Sequence, residues 1–264
     1  MPSSRPLAAL VLAAALGCGN RAASPPVTAF DGSATAWTND GGDAGAPFSV
    51  LFYSRTAGYR HASIPTAIAA FVALQAAGNY TAVSSEDPNE FTAANLARFD
   101  VVVFLMTTGD VLDADQQAAF EAWIEAGGNY VGVHSASDTL HDWPFYGALV
   151  GAYFVSHPDV QPASVDVEAT ADPIVAALPS PWVRTDEWYN FDIDPRPEVT
   201  VLATVDESTY SGGTMGADHP ITWKHATTGG GRAFYTAMGH TDESYRDPLF
   251  QRLLVSGLRW AAGR

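Results

Sequence analysis

From residue 48 onward, short apolar runs alternate with stretches of helical period. Phe48 to Tyr53 reads as a strand. Ser63 to Ala77 then spaces Ile64, Ile68, Phe71, Val72 and Leu74 as a helix, with Pro65 in the first turn. Tyr80 to Ser84 is a second strand. Asp100 to Met106 is a third, apolar at each position after Asp100, as expected of a strand covered on both faces. Asp113 to Ala126 predicts a helix. Asp113 and Gln116 have capping-box spacing, Phe120, Trp123 and Ile124 form an inner stripe, and Gly127 ends it. Asn129 to Val133 is a fourth strand. Strand and helix in this rhythm imply a parallel sheet with helices on both faces. The second half is richer in strands, at Ala163 to Glu168, Val199 to Val205, Ile221 to His225 and Arg232 to Ala237. A last helix starts at Asp247-Pro248 and turns Phe250, Leu253, Leu254 and Leu258 inward.

The first residues follow another pattern. Arg5 precedes Leu7 to Gly17, an apolar run too short to span a bilayer but suited to an export signal. Ala15-Leu16-Gly17-Cys18 resembles a lipobox, so residues 1–18 are expected to be a lipoprotein signal, with Cys18 lipidated. A plain secretory signal is the alternative. Residues 19–46, rich in Ala, Ser, Pro, Asp and Gly, read as a flexible tether, which leaves 47–264 as one domain. On this reading the chain is exported to the bacterial cell envelope and meets the membrane only through its lipid.

Hydrophobic residues make up 47% of the chain and charged residues 16%, a composition with a substantial core. The net charge of −16 repels phosphate backbones, so nucleic acid is not an expected partner, whereas a neutral sugar is compatible. Cys18 is the only cysteine. Disulfides, thiolate metal clusters and cysteine nucleophiles are therefore excluded from the domain.

In a parallel sheet, sites lie beyond the carboxyl ends of the strands. Arg60 and His61 follow the first strand there, and His134 to Asp138 follow the fourth. Gly132-Val133-His134-Ser135-Ala136 matches the strand-to-turn junction where class I glutamine amidotransferases carry a nucleophile elbow. His134 stands at the cysteine position, which argues against amidotransferase activity. Ser135 is one place off the elbow, so a serine hydrolase would need it reoriented. Asp138 could orient the His134 imidazole or cap a helix running to Leu149. An acid in Asp186-Glu187-Trp188-Tyr189 sits in an aromatic block, where it either works or pairs with Arg184. Trp188 and Tyr189 suit stacking on a sugar ring. His240 ends the last strand region, and His157 and His219 lie in loops. His141 and His225 read as surface or structural residues. No cofactor is expected. Several histidines with Glu187 could hold a divalent metal, but no local ligand motif supports it.

Six blocks together, Ser54 to Ser63, Thr107 to Leu112, Gly132 to Asp138, Tyr153 to Pro158, Asp186 to Phe191 and Gly239 to Thr241, resemble the ThuA-like (trehalose utilisation) family over about residues 48–262. The resemblance implies a flavodoxin-like, glutamine amidotransferase-like α/β fold without the nucleophilic cysteine. It also implies a role with trehalose and related sugars, including 3-keto glycosides. An enzyme of this kind would use His134 or Glu187 as acid or base, with Asp138 beside them. His61 and His240 would polarise a hydroxyl or carbonyl, and Arg60, His157, His219, Trp188 and Tyr189 would bind the sugar. The alternative is a non-catalytic sugar-binding lipoprotein.

Overall fold

The computed structural model describes residues 45–264, so the signal, Cys18 and nearly all of the tether lie outside the described residues. Among the described residues no helix is long and apolar enough to cross a membrane.

A nine-stranded sheet organises the domain. Its first half holds β1 (Phe48–Tyr53), β2 (Tyr80–Ser85), β3 (Val101–Leu105) and β4 (Asn129–Val133), all parallel, in the order β2-β1-β3-β4. The strand β11 (Arg232–Thr236) joins β4 in parallel. This 2-1-3-4-5 arrangement is the flavodoxin-like doubly wound order, whose crevice opens where the order reverses. The structure is thus the mixed α/β sheet flanked by helices that the sequence implies.

Period-2 patterning places the core. On β1, Phe52 packs on Phe71 of α1 (Ile64–Ala73), while its neighbour Tyr53 turns to the other face, against Phe91 and Phe104. Phe104 of β3 meets Phe120 of α4 (Ala114–Glu125) and Tyr146 of α5 (Pro144–Val150). The predicted capping box of α4 is present, with Asp113 and Gln116 each bonding the other's backbone. Two short helices, α2 (Gln75–Gly78) and α3 (Ala93–Leu96), fill the connections around β2. Asp247 caps the terminal helix α7 (Pro248–Ala261), which follows α6 (Asp242–Arg246) and packs on β4 and β11.

Two local expectations need correction. The helix predicted over 63–77 breaks at Leu74, α2 ends at Asn79 in a left-handed conformation, and Val72 faces solvent. No helix starts at Asp138. Residues His134–Asp138 form a 3-10 turn, and the helix waits for Pro144. The residue before a proline resists helical geometry, whereas proline itself suits a first helical position.

The second half extends the sheet antiparallel through β10 (Pro220–Ala226), β9 (Thr200–Val205), β6 (Gln161–Val167) and β7 (Trp182–Asp186). The sequence did not predict β7, nor the small pair β5 (Phe154–Ser156) and β8 (Asn190–Phe191). Four successive antiparallel steps return β7 to the direction of β11. Its carboxyl end therefore lies on the same edge as those of β1, β3, β4 and β11. In a flat sheet β7 would stand about 19 Å from β11, at ~4.8 Å per strand. Yet Asp186 at the end of β7 accepts hydrogen bonds from Gly239 and His240, just past β11. The extension is thus curled round on itself, helped by register shifts between β9 and β10.

Candidate functional site

Along the shared edge, three imidazoles and one carboxylate meet. His61 comes from the loop after β1, and His134 is the first residue past β4. Glu187 follows β7, and His240 lies in the loop after β11. His134 Nε2 stands 3.1 Å from His61 Nε2, 3.2 Å from His240 Nδ1 and 3.4 Å from a Glu187 oxygen. The same Glu187 oxygen accepts from His240 Nδ1 at 3.1 Å, and the other faces His157 Nδ1 at 3.1 Å. One ligand atom from each of His61, His134, Glu187 and His240 lies within 4.8 Å of all the others.

His134 is fully buried and adopts φ +53°, a left-handed conformation that histidine enters at a cost of roughly 1–2 kcal/mol. A strained turn directly after a strand is the device by which nucleophile elbows present a side chain at a sheet edge, and here it presents His134. It is held through the His134 carbonyl, which accepts from the Tyr235 hydroxyl at 2.8 Å. Room for that contact depends on Gly132, where a Cβ would fall 2.8 Å from the Tyr235 ring. The imidazole is aimed by its Nδ1, which donates to the Ala237 carbonyl at 2.7 Å. A carbonyl only accepts, so the proton sits on Nδ1 and the Nε2 lone pair points into the cluster. Tyr189 lies stacked on the His134 ring and puts its hydroxyl 2.9 Å from the same Nε2.

The half contributed by β7 and β11 is fastened by Asp186. Its Oδ1 accepts from the backbone of Glu187 and His240, and its Oδ2 from the backbone of Gly239, the Ser244 hydroxyl and Arg184. Gly239 reaches this position at φ +121°, open to glycine alone. Burial by itself would raise the Asp186 carboxyl, but Arg184, His134 and the backbone donors hold it below the carboxylate range. Arg184 is clamped between the Trp182 and Phe250 rings, 4.6 Å from each. The pairing of Arg184 with an acid in this block thus falls to Asp186, which frees Glu187 for the cluster.

The electrostatics separate the four groups. Burial, with His134 and His240 adding to it, lowers His61 to about 3, so it is neutral. Burial would raise Glu187, yet the hydrogen bond from His240 Nδ1 holds it ionised, below the usual range. Glu187 raises His240 above an ordinary imidazole, its hydrogen bond outweighing partial burial. An ionised carboxylate, a protonatable imidazole and inward-facing imidazole lone pairs can move a proton at a bound molecule or hold a cation.

Other expected site residues fall elsewhere. Arg60 is exposed and paired with Glu86 at 2.6 Å. Asp138 bonds His141 at 3.0 Å and does not orient His134, a task done by the Ala237 carbonyl. Trp188 is 1% exposed, with its indole N–H donating to the Gln161 carbonyl, so it fills the core and presents no face to a sugar. His219 is buried beneath the site, where Nε2 donates to the Tyr189 carbonyl at 2.7 Å and Nδ1 faces Glu207 at 2.8 Å. It braces Tyr189 and does not reach the cluster. His157 is exposed and touches the cluster through Glu187. Of the two histidines read as surface or structural, His141 is exposed and His225 bonds the Leu149 carbonyl.

Two residues escaped the sequence reading. Asp186 was obscured by its neighbour Glu187. Tyr59 is 65% exposed, and its ring meets His61 edge-on at 4.8 Å between centroids. An aromatic two residues before a candidate histidine, in a polar loop, was the available signal.

Comparison with known proteins bears on this arrangement. The ThuA family profile, described as trehalose utilisation, matches residues 49–261. A ThuA-like protein from Bacteroides uniformis is 25% identical, with a TM-score of 0.69, covering 83% of this chain and 93% of that one. One from Parabacteroides merdae is 18% identical, with a TM-score of 0.66, covering 82% of this chain and 90% of that one. No curated protein matches the chain.

Proposed function

The chain belongs to the ThuA, trehalose utilisation, family, and from that membership we propose an enzyme that acts on a sugar or modified glycoside, such as a 3-keto glycoside. The observation that carries the proposal is the meeting of His61, His134, Glu187 and His240 at the carboxyl edge of the sheet. Sugar chemistry at a hydroxyl or carbonyl needs a proton acceptor and a proton donor within reach of one atom. Glu187 is the acceptor in this reading and His240 the donor. His61, held neutral, polarises the reacting oxygen. The exposed ring of Tyr59 takes the sugar-stacking role that buried Trp188 cannot fill.

The test is turnover. Purified protein is incubated with trehalose, other glycosides and their 3-keto derivatives, and products are followed by mass spectrometry. Conversion of at least one of them, lost in Glu187→Gln, is the expected result. Saturable sugar binding without conversion would replace the enzyme with a non-catalytic sugar-binding lipoprotein.

Tyr59→Ala is expected to raise KM about tenfold, the effect of losing ~1.4 kcal/mol at an aromatic contact. It should leave kcat within about twofold and stability within about 0.5 kcal/mol, since an exposed ring adds little to the core. An unchanged KM removes Tyr59 from the sugar site.

The same proposal has the enzyme exported and tethered through lipidated Cys18. Cys18→Ser should move it from the membrane fraction to the soluble fraction. Unchanged membrane retention excludes this anchor.

A further inference from the structure

We propose that His61, His134, Glu187 and His240 form a binding site for one divalent transition-metal ion of the zinc type. The inference deepens the enzyme reading, because the ion would occupy the same site.

The donor spacing fits. Ligands about 2.05 Å from a tetrahedral ion stand about 3.3 Å from one another. Four of the six separations among the ligand atoms are 3.1, 3.2, 3.1 and 3.4 Å, and the other two lie within 4.8 Å. The outward contacts fit as well. Ligating imidazoles characteristically donate their other ring N–H to an oxygen, which fixes the tautomer and aims the lone pair. His134 does so through Nδ1 to the Ala237 carbonyl, and His61 Nδ1 faces the Ser135 hydroxyl at 3.4 Å. The second Glu187 oxygen faces His157, so the carboxylate is oriented from behind.

Crowding at one atom points the same way. The single lone pair of His134 Nε2 is approached within 3.4 Å by the Tyr189 hydroxyl, two imidazole nitrogens and a carboxylate oxygen. One proton can satisfy only one such pair, whereas a cation serves several donors at once.

Three imidazoles and one carboxylate select the class of ion. Magnesium and calcium prefer shells of oxygen, while nitrogen-rich sets suit zinc and its first-row neighbours. His240, the one partly exposed member, marks the side open to solvent, where a water or substrate oxygen would add a fifth position. In the loaded state the four side chains would be ligands, the ion would supply the polarising role given above to His61, and water held on it would replace Glu187 and His240 as proton acceptor and donor.

The test needs no substrate. The untagged chain is stripped with a chelator, and zinc is added by calorimetric titration and cobalt by visible spectroscopy. One ion per chain is expected, with cobalt showing the strong bands of a four- or five-coordinate site. Glu187→Gln and His134→Asn should each weaken zinc binding at least tenfold, with circular dichroism confirming that each is folded. His141→Ala, at the exposed Asp138 pair, should bind as the parent does. Sub-stoichiometric binding, or equal binding by parent and both ligand variants, overturns the proposal. If one variant fails to fold, the other decides alone. Absence of zinc binding by a chain that converts a glycoside overturns the metal site and leaves the enzyme reading standing. Stoichiometric binding with no turnover of any glycoside does the reverse.

Discussion

Asp186→Asn should cost about 3–5 kcal/mol of folding stability, the range for breaking a buried ion pair from one side. For a domain of this size that lowers Tm by roughly 6–20 °C. The carboxylate is fully buried and accepts from three backbone N–H groups, a hydroxyl and Arg184. An amide can accept at one atom only, and its NH2 would face donors. Arg184 would keep Asp247 at 3.5 Å and its two rings, but lose its buried counterion. Arg60→Ala is the contrast, because its pair with Glu86 lies on the surface and should be worth under about 1 kcal/mol. Denaturant melts of both variants, in a chelator so that bound ions play no part, check the difference. A loss below about 1 kcal/mol at Asp186 would mean that water reaches the carboxylate and that the curled end of the sheet is held by other contacts.

His134→Asn is expected to lower kcat/KM by about 10²–10⁴-fold, as much as losing an acid–base group itself, because His134 Nε2 stands between the three groups that do the work, while stability changes by less than about 2 kcal/mol. Asparagine is the informative replacement because it tolerates the left-handed φ better than alanine. The turn should stay as it is while the lone pair at the centre of the cluster is lost. A histidine that only packed the core would show the opposite pattern, with a clear fall in Tm and ordinary turnover. Thermal melts beside the turnover assay separate the two.

The contrast between the two halves of the sheet explains what the sequence could reveal. β1 to β4 were legible because both of their faces are covered, so apolar runs mark them directly. Once those strands are parallel, His61 and His134 must share an edge. β7 was hidden by an inverted pattern. Trp182-Val183-Arg184-Thr185-Asp186 alternates, but Val183 is 67% exposed, while Arg184 and Asp186 point inward and pair with each other. Polarity therefore suggests the wrong face. Without β7 the antiparallel steps cannot be counted, and the arrival of Glu187 beside His134 has no basis in the sequence. The aromatic block misled for a different reason. Trp188 and Tyr189 are equally suited to a sugar ring or to a protein interior, and only burial distinguishes them. Asp138 was given two roles, orienting His134 or capping a helix, and fills neither. Another group aims the imidazole, and Pro144 sets where the helix begins.

The left-handed turn at residue 134 is fixed by a bond to its own carbonyl and by the small volume of Gly132, so the turn persists, at a modest backbone cost, for side chains without branching at Cβ. Such a turn is an interchangeable mount. A lineage can swap the group it presents without rebuilding the scaffold, and the swap is nearly free because the strain is already borne. What cannot change so cheaply is the company the group keeps. A thiol on this mount would face three nitrogen-rich and acidic neighbours suited to other work. New chemistry on this fold would therefore begin with one residue at the turn and be completed by the slower recruitment of distant loops around it.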